Sequence, residues 1–150
     1  MWKSLIGGAW KRMPRRLRLE AVRLTQKKFT VSAVAVILNP EGKVLLLDHL
    51  LRPGAGWALP GGFIEANEQP EAAIKREIRE ETTLELENVR LLSVRTIGRH
   101  VEILFRAEAS GKPVPNSAEI NAAGWFSMDE MPSETSGVQK RIISEVLNQI

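Results

Sequence analysis

The chain has 150 residues, 43% hydrophobic and 26% charged, with a formal net charge of +3. This length favours one domain with a sizeable core, and the lack of cysteine excludes disulfides, thiolate metal sites and a cysteine nucleophile. No apolar run nears the ~18–20 residues of a membrane span, and the apolar stretch in MWKSLIGGAW is too short for a signal peptide, so a reducing, cytoplasmic setting is expected.

The charge is unevenly spread. Residues 1–28 hold nine Lys or Arg against Glu20 alone, a net +8, while the remaining 122 residues carry a net −5. The high isoelectric point thus belongs to a basic N-terminal arm, and residues 29–150 form the expected body of the fold. Within the arm, Leu17, Val22 and Leu24 alternate with basic residues in a weak amphipathic pattern that Pro14 interrupts.

Phe29 to Leu38 is rich in β-branched residues and predicts a buried strand. Asn39-Pro40-Glu41-Gly42 is a turn by chemistry, and Lys43 to Asp48 is the return strand of a hairpin. A loop over 49–56 leads to a short strand at Trp57–Leu59 and a tight turn at Gly61-Gly62. A helix should begin at Pro70, capped by Asn67 or Glu68, with Ile74 and Ile78 marking its apolar stripe. Two strands (91–97 and 101–107) meet at a Gly98-Arg99 turn, a short strand covers 122–126, and Thr135 or Ser136 caps a last helix. The apolar face of that helix is read as Val138, Ile142, Val146 and Ile150. The order predicts an α/β sandwich with a mixed sheet.

The segment GGFIEANEQPEAAIKREIREETTL, residues 61–84, carries the chemistry. On a helix, Glu77, Glu80 and Glu81 share one face, and each like-charge pair costs a few tenths of a kcal/mol. A divalent cation reverses that cost, because hard cations prefer oxygen ligands. Helix angles put Glu77 and Glu81 at the edge of the apolar stripe, partly desolvated, where a charge is costly unless paired or metal-bound. Arg76 can pair with Glu80 at i,i+4.

From Gly62 the pattern is Gly, five residues, Glu68, seven residues, then Arg76-Glu77-Ile78-Arg79-Glu80-Glu81-Thr82-Thr83-Leu84. This resembles the signature box of the Nudix hydrolases, and the strand order extends the resemblance over residues 29–150. The family usually has glycine where this chain has Thr83. A β-branched residue resists positive φ, so a different helix exit is expected here. The resemblance implies a Nudix-type α/β/α sandwich and hydrolysis of a diphosphate by metal-activated water. It implies that Glu77, Glu80, Glu81 and the Gly61 carbonyl hold Mg²⁺ or Mn²⁺. It also implies that Arg76 orients the carboxylates, that Glu68 supports them from behind, and that Glu77 or Glu81 serves as general base.

Outside the box, Glu119 is a candidate further acid, with a solvated loop carboxylate as the competing reading. Trp57 could stack on a nucleobase or belong to the core, and Arg52 could clamp phosphate or sit on the surface. His49 and His100 are isolated and receive no role. The arm has three readings: a solvated tail, a membrane-surface helix, or an element docking on the body or on the partner of a homodimer. Its few aromatics argue against nucleic acid. The expected partner is a small nucleotide or diphosphate. No tyrosine occurs anywhere and no proline between Leu84 and Lys112, so the resemblance names no subfamily. The leading substrate is a nucleoside diphosphate linked to another moiety. The alternatives are a nucleoside triphosphate, cleaved by a sanitising pyrophosphatase, or mere nucleotide binding by a catalytically weak domain.

Overall fold

A computed structural model describes residues 10–50 and 56–148. The elements in chain order are α1 (Arg15–Thr25), β1 (Thr30–Leu38), β2 (Val44–His49), β3 (Gly56–Ala58), β4 (Gly61–Phe63), α2 (Pro70–Thr82), β5 (Glu87–Ile97), β6 (His100–Glu108), β7 (Ile120–Phe126) and α3 (Gly137–Leu147). The helix α1 buries none of its residues.

The sheet runs β3-β2-β1-β6-β5, with β4 also pairing β1 and β7 pairing β2. The sheet is mixed: β1 and β6 run parallel, and the other pairs are antiparallel. Seven consecutive residues of β1 are buried, as expected when both faces of a strand are covered. Alternation assigns the faces. Ala33, Ala35 and Ile37 pack with Ala73, Ile74 and Ile78 of α2. Val34, Val36 and Leu38 pack with Ile142, Ile143 and Val146 of α3. The result is the expected α/β/α sandwich. Each fully buried Ile or Leu contributes about 1.5–3 kcal/mol.

The hairpin turn forms around Asn39, whose Oδ1 accepts from the backbone N–H groups of Glu41 and Lys43. The two strands it joins then splay apart. Strand β2 pairs with β1 only at Leu38–Val44, and farther on with β3. On the same edge of β1, residues 32–34 pair with β4 instead. The chain from Gly56 to Phe63 therefore fills a fork in the sheet. Gly61 and Gly62 are consequently strand residues rather than a tight turn. At Gly61, with φ 148°, any Cβ would overlap the Ala33 carbonyl.

Local chemistry departs from expectation at both ends of α2. Neither Asn67 nor Glu68 caps it; Gln69 precedes Pro70 without a side-chain cap. Asn67 instead takes a left-handed turn at φ 68°, and the Glu68 carboxylate is held elsewhere, as described below. At the other end Thr83 does adopt the left-handed conformation, at φ 63°, with its N–H donating to Arg79 O. Neighbouring bonds over-determine this exit. Thr82 Oγ1 donates to Ile78 O and accepts from Leu84 N–H. Val114 and Asn116 N–H donate to the Thr82 and Glu81 carbonyls. In the last helix Ser136 caps as expected, but Val138 is exposed and Ile143 fills the core instead. Ile150 lies outside the described residues.

Left-handed backbone costs a side-chain-bearing residue about 1–2 kcal/mol, and glycine loses about 0.4–1 kcal/mol through the unfolded state. Thr83→Gly should therefore stabilise the fold by about 0.5–1 kcal/mol. Urea denaturation measures this, and an unchanged or lowered midpoint would contradict the strain at Thr83.

Candidate active site

A cleft of about 780 Å³ opens where the sheet forks. Its walls include Gly61, Gly62, Arg76, Glu77, Glu80 and Glu81, together with Glu119 from the loop before β7. Helical spacing brings the three box glutamates to this wall and gives them unequal environments. Glu81 is 8% exposed, the Glu77 side chain is 17% exposed and that of Glu80 is 59% exposed. This packing uses the open space at Gly62. A Cβ there would overlap the Glu77 carboxyl group, so the carboxylate lies against bare backbone.

Arg76 organises the acids. Its Nε and Nη2 donate to the two oxygens of Glu68 at 2.8 and 3.0 Å, a bidentate pair. Its Nη1 donates to Glu77 Oε1 at 2.9 Å and Glu80 Oε2 at 3.3 Å, and Nη2 also reaches the Phe63 carbonyl at 3.2 Å. Glu68 accepts in addition from the Glu65 N–H. The hydrogen bonds from Arg76, then that from Glu65, pull the Glu68 carboxyl down to about 2. The same bond to Glu68, followed by that to Glu77, raises the Arg76 guanidinium well above its ordinary value.

Glu119 is positioned by its backbone. Its N–H donates to Ser117 Oγ and its carbonyl accepts from Leu50 N–H. The loop carrying it is tied to the C-terminus of α2, where Asn116 Nδ2 donates to Glu80 O. Trp57 does not line the cleft. Its ring packs edge-on against Phe126, with centroids 4.9 Å apart, beside the α3-side core. Packing rather than substrate stacking is thus its place in the fold. Arg52 lies outside the described residues. His49, Phe63, His100 and Glu102 also line the cleft. Sequence reasoning missed them because strand pairing between distant segments brings them there.

Among the described residues no three acidic or histidine side chains are close enough to form a ready ion cage, since Arg76 stands among Glu68, Glu77 and Glu80. The donors themselves suit a hard divalent cation: carboxylate oxygens, with a glycine-lined cradle under Glu77. Six glutamates line the cleft, and Arg76 is its one Lys or Arg among the described residues. A polyphosphate entering such a field needs a cation beside it.

Residues 28–146 match the family model described as NUDIX domain. The chain belongs to the Nudix family. It is 32% identical over 111 residues to a MutT-like protein of Streptomyces ambofaciens, covering 73% of this chain and 71% of that protein. It is 34% identical to an ADP-ribose pyrophosphatase of Methanocaldococcus jannaschii, covering 67% of this chain and 64% of the relative. Other curated relatives are longer, and the chain spans only 35–47% of three of them. The crystal structure of a MutT NUDIX hydrolase from Burkholderia pseudomallei superposes with a TM-score of 0.70 at 32% identity, covering 80% of this chain and 99% of that one. The chain is therefore a Nudix hydrolase, and the clasp on Arg76 lies within its signature box.

In the unfolded chain Glu68 titrates near its ordinary 4.5, and folding lowers this to about 2. The folded state binds fewer protons between these values. The stabilisation is thus fully present above pH 4.5 and is lost as pH falls toward 2. Metal-free denaturation of wild type and Glu68→Gln across pH should show a constant gap above that window and a closing gap within it. A gap independent of pH would contradict the clasp.

Proposed function

We propose that this protein hydrolyses the diphosphate bond of a nucleoside diphosphate linked to another moiety, with Mg²⁺ or Mn²⁺ as cofactor. The observation that carries this reading is the convergence of Glu77, Glu80 and Glu81 with Gly61 and Glu119 on one cleft. The name of the archaeal relative, an ADP-ribose pyrophosphatase, supports this substrate class.

In this reading Glu77, Glu80, Glu81 and the Gly61 carbonyl hold the cation, which when bound acidifies water and neutralises charge on the phosphates. Arg76 restrains Glu77 and Glu80 and keeps the three acids from repelling one another apart. In this reading the largely buried Glu81 serves as ligand or base. Glu119, from the facing loop, is the further acid able to accept the proton of the attacking water. The second reading, a nucleoside-triphosphate pyrophosphatase, uses the same groups on a different substrate and is distinguished by its products.

A nucleotide panel assayed with and without Mg²⁺ tests the proposal. A nucleoside monophosphate plus a phosphorylated group is the expected outcome. Monophosphate plus pyrophosphate would favour the triphosphate reading, and no turnover of any nucleotide would leave only a binding module. Glu81→Gln should lower turnover by several orders of magnitude; near-normal turnover would remove Glu81 from the site. Gly62→Ala pushes the Glu77 carboxylate off its seat. A displacement of this kind costs about a hundredfold in turnover, while thermal unfolding should stay close to wild type.

A further inference from the structure

The cleft has a second wall, on the α3 side of the sheet, that the diphosphate chemistry does not use. Three adjacent strands place one residue each in a single row there. Ser32 of β1 is in register with Phe63 of β4 on one side and with Glu102 of β6 on the other, so all three side chains leave the same face. Phe63 is 64% exposed, an unusual state for a large apolar residue in a cleft. It is also the only Phe or Trp among the described residues that line it. Its ring is braced edge-on by His100, with centroids 6.0 Å apart. His100 is itself fixed between Thr30 Oγ1, 2.8 Å from Nδ1, and Ser32 Oγ, 2.9 Å from Nε2. Glu102 is largely sheltered, 15% exposed, and Arg95 Nε holds its Oε1 at 2.6 Å. The other carboxylate oxygen keeps its acceptor capacity.

We infer that the Phe63–Ser32–Glu102 row is the seat of the substrate's nucleobase and selects bases that bear an amino group. The inference rests on the nucleotide-diphosphate reading above. An aromatic face held rigidly at a cleft wall is a stacking platform, and stacking is indifferent to which base is present. Discrimination falls to Glu102. An ionised carboxylate only accepts hydrogen bonds, so it favours the amino groups of guanine, adenine and cytosine. Uracil has no amino group, and its one donor on that edge, N3–H, is flanked on both sides by carbonyl oxygens that the carboxylate repels. Because the row and the α2 glutamates line one cleft, a base stacked here leaves its phosphates within the space that Glu77 and Glu81 face.

Heteronuclear NMR titration of the full chain with the monophosphates of guanosine, adenosine, cytidine and uridine, with Mg²⁺ present, tests this. Amide shifts should centre on residues 30–34, 61–64 and 100–104, with uridine the weakest ligand. Phe63→Ala should weaken every base about tenfold, and Phe63→Leu, which keeps the bulk but not the ring, should do nearly the same. Glu102→Gln should erase most of the preference for amino-bearing bases without weakening uridine. Shifts centred elsewhere, uridine bound best, or an unaltered preference in Glu102→Gln would overturn the inference. Binding is read without turnover. An intact binding map with an inactive nucleotide panel would sink the diphosphate chemistry alone, and turnover without this map would sink the base seat alone.

Discussion

The site depends on one guanidinium. Arg76 contributes five N–H donors in a fixed plane, which engage Glu68, Glu77, Glu80 and the Phe63 carbonyl. Two of these partners lie before α2 and two lie on it. The same side chain therefore closes loop 63–69 onto the helix and holds together carboxylates that would otherwise repel. Lysine could not replace it, because a point charge cannot grip Glu68 with two parallel bonds while reaching Glu77. The clasp also means that Glu77 and Glu80 are shared. A cation taking these oxygens competes with Arg76 for them, whereas Glu81 makes no ion pair with Arg76 among the described residues.

The fork between β1 and β2 determines where that clasp can act. Because β2 leaves β1 after Leu38–Val44, the edge of β1 at residues 32–34 is free to take β4. Strand β4 is short and begins with two glycines for separate reasons. Gly61 is forced by the approach of the Ala33 carbonyl, whereas Gly62 leaves the space that the Glu77 carboxylate occupies. Two adjacent glycines thus serve backbone pairing on one hand and side-chain chemistry on the other. The next residue, Phe63, turns its ring to the opposite face and its carbonyl to Arg76. Within three residues the chain connects both walls of the cleft.

What could be read from sequence follows from how local each interaction is. The gathering of Glu77, Glu80 and Glu81, and the partial burial of the first and last, follow from helix geometry relative to Ile74 and Ile78, and they were legible. So was the α/β/α layering, since β1 is apolar on both faces while α2 and α3 are apolar on one. The ends of α2 were not. Glu68 has capping chemistry, yet an arginine eight residues on claims its carboxylate. Thr83 has the wrong shape for positive φ, yet Thr82, Leu84 and residues 114–116 fix the exit around it. Trp57 could be read either as core or as a stacking ring, and it packs on Phe126. The aromatic that does line the cleft is Phe63. Its position depends on register between strands some 30 to 40 residues apart, which no local pattern encodes.

The balance of charge in the cleft then ties its two walls together. Six glutamates line the cleft, Glu102 among them on the α3 wall, and Arg76, the cation among its described lining residues, is already committed to Glu68, Glu77 and Glu80. At short range in a partly desolvated cleft such a field repels phosphate strongly, so the described lining residues by themselves do not attract a diphosphate. On the proposed reading, affinity comes from a cation on the α2 wall and from recognition of the base on the α3 wall. A stacked base costs nothing electrostatically, and its amino group gains from the negative potential that the phosphates resist. An acidic cleft therefore favours substrates whose anionic and aromatic parts are separable, with one held through metal and the other through a ring. A simple phosphate ester without a base would meet the repulsion and gain only half of the recognition.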